Sequence, residues 1–88
     1  MSDGDELLLL LGGIIGAFAA AKLVDYLAER KNTPLNRYQA GVATQTAASV
    51  VAQALETLTD KGYVTASGDR GNPNERTYRL RPGVMTPA

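Results

Sequence analysis

The segment Leu7–Ala21, LLLLLGGIIGAFAAA, runs fifteen residues without a polar side chain, and its reading decides the architecture around it. A helix that packs on a core carries an apolar stripe and a polar face. Leu7, Leu11, Ile14 and Phe18 make such a stripe, but Leu8, Leu9, Leu10, Ile15, Ala17 and Ala19 then fill the opposite side. A helix apolar all round has to be surrounded, and a chain of 88 residues builds no core deep enough to do it. The surroundings implied are lipid, or other copies of the chain. The run alone rises about 22 Å; continued through Lys22, Leu23, Val24 and Asp25 to Leu27 it reaches about 31 Å, the depth of a bilayer core. Lys22 can snorkel its ammonium to the interface, with Asp25 in the headgroup zone. Its Leu, Ile and Phe side chains favour insertion by about 2.5 to 5 kcal/mol. The expectation is a transmembrane helix.

The flanks give that helix a direction. Residues 1–6 (MSDGDE) form an acidic tip without Lys or Arg, whereas Lys22, Arg30, Lys31 and Arg37 follow the run. The positive-inside rule places the N-terminus outside and the remainder inside, in a cytoplasm or the interior of a virion with an internal membrane. A cleavable signal peptide is the wrong reading, because its first region would be basic. Gly12, Gly16 and Ala20 form a small-residue ridge at four-residue spacing, suited to close helix–helix packing in lipid.

Composition removes several function classes. There is no Cys and no His, so the usual zinc, iron–sulfur and disulfide chemistry has no ligands. The usual general base and strongest nucleophile are missing too. Asp60, Asp69 and Glu75 are scattered without a pairing pattern, and Gly12-Gly13 precede no phosphate-loop Lys-Ser/Thr. The expectation is a non-enzymatic protein without metal, cofactor or small-molecule substrate. Nine Lys/Arg balance nine Asp/Glu. The neutrality is a cancellation: residues 1–31 carry three bases and five acids, and 32–88 carry six bases and four acids. The chain divides accordingly into the tip 1–6, a hydrophobic helix 7–31 running into the next domain, a body 32–83 and a tail 84–88.

From Lys22 the apolar spacing becomes amphipathic. Thr33-Pro34 predicts a helix start, with Thr as cap and Pro at the first turn, and a short helix from Leu35 that stops at Gly41. A second helix is predicted from about Thr44 to Asp60, with Ala47, Val51, Leu55 and Leu58 on one face and Gly62 as its cap. Tyr63–Ser67 and Arg76–Arg81 predict a β-hairpin around the polar loop GDRGNPNE.

This order, with the stretch ALETLTDKGYVTASGDRGNPNERTYRLRPG, resembles the winged helix-turn-helix superfamily over residues 22–83. The pattern Leu55-x-x-Leu58-x-x-Lys61-Gly62-Tyr63-Val64 looks like the end of a recognition helix entering a wing. Arg37 stands where the family usually has a small alanine. The resemblance implies a mostly helical α+β fold with a two-stranded C-terminal wing. It also implies that Gln45, Thr46, Ser49 and Gln53 face the major groove of double-stranded DNA. The wing would supply Arg70, Arg76, Arg79 and Arg81 to phosphate. The same arginines suit a solvated face on a domain that docks onto protein, and both readings stand at this point.

The functional expectation is a single-span, membrane-anchored winged-helix protein of structural or assembly type. It would link a lipid bilayer to a protein lattice or packaged DNA, as in a membrane-containing virion. The alternative is a soluble, cytoplasmic, dimeric DNA-binding transcription regulator in which the N-terminal helix joins two subunits.

Overall fold

The computed structural model describes residues 2–85; Met1 of the acidic tip and positions 86–88 of the tail segment lie outside the described residues. The chain folds as α1 (Asp3–Ile15), α2 (Ala17–Glu29), β1 (Leu35–Asn36), α3 (Arg37–Thr44), α4 (Ala48–Asp60), β2 (Val64–Ser67) and β3 (Thr77–Leu80). It is a mostly helical α+β domain: four helices and a three-stranded antiparallel sheet in the order β1-β3-β2.

The acidic tip is the start of α1. Ser2 accepts from the Asp5 N–H and the Asp5 carboxylate accepts from the Ser2 N–H, a reciprocal cap. Asp3, Asp5 and Glu6 sit in the first turn, where the helix dipole favours negative charge.

The apolar run is not one helix. It breaks at Gly16, whose φ of 87° and ψ of 158° belong to a region that only glycine occupies readily. α1 and α2 therefore fold against each other as a hairpin, and each turns its own stripe inward. Leu7 and Leu11 of α1 and Ala20, Leu23, Val24 and Leu27 of α2 join one core with Leu35, Ala40, Val51, Ala54, Leu55, Leu58, Val64, Tyr78 and Leu80. α1 also packs on α4. Apolarity distributed around a single helix is thus shared between two helices that face different neighbours.

This overturns the transmembrane expectation. Among the described residues no helix is long and apolar enough to cross a membrane. α1 and α2 have 13 residues each, about 20 Å, against the ~30 Å of a bilayer core. The bilayer as partner, the outside–inside orientation, and the structural role joining a membrane to a lattice or packaged DNA all fall with it. The lipid-facing ridge also goes. Gly16 is the joint, Ala20 lies in the protein core, and an added Cβ at Gly12 would meet nothing within 4 Å.

The middle of the chain departs from expectation by a few residues. Leu35–Asn36 form an edge strand rather than the first turn of a helix, with Leu35 opposite Tyr78 and Asn36 opposite Thr77. Asn36, not Thr33, caps α3: its side chain accepts from the N–H groups of Tyr38 and Gln39, and Gln39 Oε1 accepts from the Asn36 N–H at 2.8 Å. Gly41 lies inside α3 instead of ending it. The Thr46 carbonyl comes so close that a Cβ on Gly41 would sit 2.8 Å away, and Thr46 N–H bonds back to the Gly41 carbonyl at 3.0 Å. The turn is made by Gln45, in the left-handed conformation. The hairpin is as expected apart from its ends, with Thr65 opposite Arg79 and Ser67 opposite Thr77.

Candidate nucleic-acid interface

The four expected readers occupy two environments. Ser49 and Gln53, one helical turn apart on α4, are exposed on one face. Gln45 is exposed in the turn before α4, while Thr46 is half-buried with its hydroxyl donating to the Thr44 carbonyl. The first turn of α4 carries no acid and no side-chain cap, so its leading N–H groups remain open to an anion. A shallow groove of about 280 Å³ runs between Tyr38, Gly41, Val42, Gln45, Thr46 and Ala48, joining α3 to the start of α4.

The four wing arginines separate sharply. Arg76 is buried and grips Glu56 of α4 through Nε at 2.5 Å and Nη2 at 3.1 Å, with Nη1 on the Gly68 carbonyl at 2.7 Å. Tyr78 donates its hydroxyl to the same carboxylate. Arg70 pairs with Asp60 at 2.9 Å and lies 3.4 Å from Glu56. Burial alone would push Glu56 upward. Its hydrogen bonds from Arg76 and Tyr78, helped by the charges of Arg76 and Arg70, outweigh that and hold the carboxyl below the usual range. The Tyr78 phenol is pushed up to about 12, by burial first and then by Glu56. This cluster clamps the β2–β3 hairpin to α4, and its two arginines are already neutralised by Glu56 and Asp60.

Arg79 and Arg81 make no ion pair among the described residues. Arg79 stands on the outer face of the sheet beside Pro34, Thr65, Ser67 and Thr77, on the side opposite the buried Tyr78 and Leu80. Arg81 lies past the end of β3, with Nη1 3.4 Å from the Gly62 carbonyl. Gln45, Thr46 and the start of α4 therefore share one surface, and Arg79 and Arg81 are not part of that groove.

A different cation, Arg37, adjoins the groove through its neighbour Tyr38, which lines it. Arg37, the first residue of α3, stacks its guanidinium 4.9 Å from the Tyr38 ring centroid. It donates to Tyr38 Oη at 3.0 Å and to Asn74 Oδ1 at 2.8 Å, and Tyr38 donates to the same amide oxygen at 2.7 Å. It has no carboxylate partner among the described residues, and its buried Nε has no hydrogen-bond partner. Arg37, Tyr38 and Asn74 tie the start of α3 to the loop between β2 and β3, with no carboxylate on Arg37 among the described residues. No periodicity signals this trio, because Asn74 is 37 residues from Arg37.

Comparison with known proteins finds no matching family model, curated protein or solved structure.

Proposed function

We propose that this chain is a winged helix-turn-helix module that binds duplex DNA through the α3–α4 surface as a non-enzymatic, dimeric regulator. The order helix–strand–helix–helix–hairpin, with β1 added to the wing beside β3, supports the winged-helix assignment. The observation that carries the DNA reading is Arg37: a cation with no carboxylate partner among the described residues, held by Tyr38 and Asn74 next to the groove that Tyr38 lines. In this reading Arg37 and the open N-terminus of α4 take phosphates, and Gln45, Ser49 and Gln53 reach base edges. Subunits pair through the outer side of the N-terminal hairpin, where Leu9 and Phe18 are 66% and 72% exposed.

The test is a titration of the full chain with duplex DNA at two salt concentrations. Binding is expected to weaken steeply with salt. Arg37→Ala weakens it evenly across sequences and lowers the salt slope by about 1. Gln53→Glu places a negative charge against the duplex and abolishes binding, whereas Glu75→Gln leaves it intact. Absence of binding at low salt overturns the reading.

One observation favours a second reading, docking onto a protein. Tyr26, Tyr38, Val42 and Ala43 line an apolar hollow of about 450 Å³ between α2 and α3, and Val42 is 81% exposed. A domain that binds no DNA but loses a partner on Val42→Asp would fit it.

A further inference from the structure

A concavity that the DNA reading leaves unused lies away from the α3–α4 groove. The loop after α2 (Lys31, Asn32) and the turn after β3 (Leu80 to Val84) enclose a cleft of about 400 Å³, within the size range of small-ligand sites. Two of its lining side chains are cationic, Lys31 and Arg81, one is an amide, Asn32, and none is a carboxylate. Neither cation makes an ion pair among the described residues. Asp3 of α1 accepts from the Met85 N–H at 3.1 Å, which ties down the chain just after the cleft-lining Val84. The other walls are apolar: Leu80, Pro82 and Val84. The turn is fixed by a Val84 N–H to Arg81 carbonyl bond at 3.2 Å and by Gly83 at a φ of 91°.

Two cationic residues bordering one cleft, Arg81 with Nη1 also 3.4 Å from the Gly62 carbonyl, match a dianion, and the apolar residues of the same lining match a hydrocarbon or aromatic body. A phosphate monoester carries about −1.5 to −2 charges near pH 7 and offers three acceptor oxygens. Arg81 supplies a planar fork, Lys31 a point charge and Asn32 an amide donor, a donor set suited to those oxygens. We propose that this cleft binds a small organic phosphate, with Lys31, Asn32 and Arg81 on the phosphate and Leu80, Pro82 and Val84 against its body. The proposal is independent of the DNA reading, since none of these residues lines the α3–α4 groove.

Phenyl phosphate, titrated into the full chain and followed residue by residue through backbone amide NMR shifts, tests it. Saturable shifts are expected at Lys31, Asn32, Gly83 and Val84. Inorganic phosphate should move the same amides at higher concentration, and phenol should move none of them. Lys31→Ala and Arg81→Ala should each weaken phenyl phosphate about five- to tenfold, Lys31→Arg should keep most of the affinity, and the double alanine variant should abolish saturation. Three results overturn the proposal: shifts spread over every surface cation, shifts centred on Arg37, or affinity unchanged in the double variant. A fourth is movement of these amides by a short DNA duplex but not by phenyl phosphate, which assigns the cations to a DNA backbone instead.

Discussion

Gly16 and Gly13 stand three residues apart in the same apolar run, and their substitutions are expected to move stability in opposite directions. At Gly16 a Cβ has room, since nothing lies within 4 Å, but the backbone sits at a φ of 87° where an L-residue is strained. Gly16→Ala is expected to destabilise by about 1 to 3 kcal/mol. Gly13 lies inside α1 with ordinary helical geometry and equally open space, so Gly13→Ala is expected to stabilise by about 0.5 to 1 kcal/mol. Urea denaturation of the two variants checks this. Equal effects at both positions would mean that the run is one continuous helix. Gly41 poses the reverse problem, with a helical backbone and no room. A Cβ there meets the Thr46 carbonyl at 2.8 Å, and backbone cannot step aside as a flexible side chain does. Gly41→Ala is expected to loosen the turn before α4, destabilising by about 1 to 3 kcal/mol.

At the scale of the element, α1 is part of the core and not an appendage, because Leu7 and Leu11 are fully buried. Leu11→Ala is expected to cost about 2 to 5 kcal/mol, measured by the same denaturation, a loss that a freely hanging helix would not show. The sequence makes α4 and the hairpin legible for plain reasons. Val51, Leu55 and Leu58 repeat at helical spacing, a glycine follows, and two alternating segments flank a loop rich in Gly, Asn and Pro. The N-terminal hairpin is hidden in the sequence because its break is one of three glycines in the run, and Gly is also ordinary in membrane spans. Nothing local distinguishes a glycine that bends a helix from one that lines it. The two-residue strand β1 was equally hidden, since Leu35-Asn36 acquires its strand geometry from Tyr78 and Thr77, more than forty positions later. The candidate interface divides the same way. Ser49 and Gln53 follow from helix phase alone, whereas the commitment of Arg70 and Arg76 to Glu56 and Asp60, and the anchoring of Arg37 by Tyr38 and Asn74, depend on tertiary contacts.

Across the whole molecule, the zero net charge is organised by location, and this sets a pH window for stability. The low pKa of Glu56 means that the native state prefers the ionised carboxylate, so its contribution is complete above the ordinary glutamate value of 4.5 and is lost as pH falls through the depressed value. The tyrosines act at the other end. Tyr63 is pushed up to about 12 by hydrogen bonding to the Glu6 carboxylate, then by burial and by the charges of Glu6 and Asp3; Tyr78 reaches about 12 through burial and Glu56. Both are favoured as neutral phenols in the fold, so their contribution holds below 10 and is lost as pH climbs toward 12. Thermal unfolding against pH should therefore give a plateau with an acid limb and an alkaline limb. Glu56→Gln is expected to lower the plateau by about 1 to 3 kcal/mol, because Arg76 is left buried without its counter-ion, and to flatten the acid limb. Tyr78→Phe should leave the acid limb largely in place and flatten part of the alkaline one, with the remainder belonging to Tyr63. An acid limb unchanged in Glu56→Gln would show that another carboxylate governs acid stability, and the clamp between the β2–β3 hairpin and α4 would then not be what low pH releases.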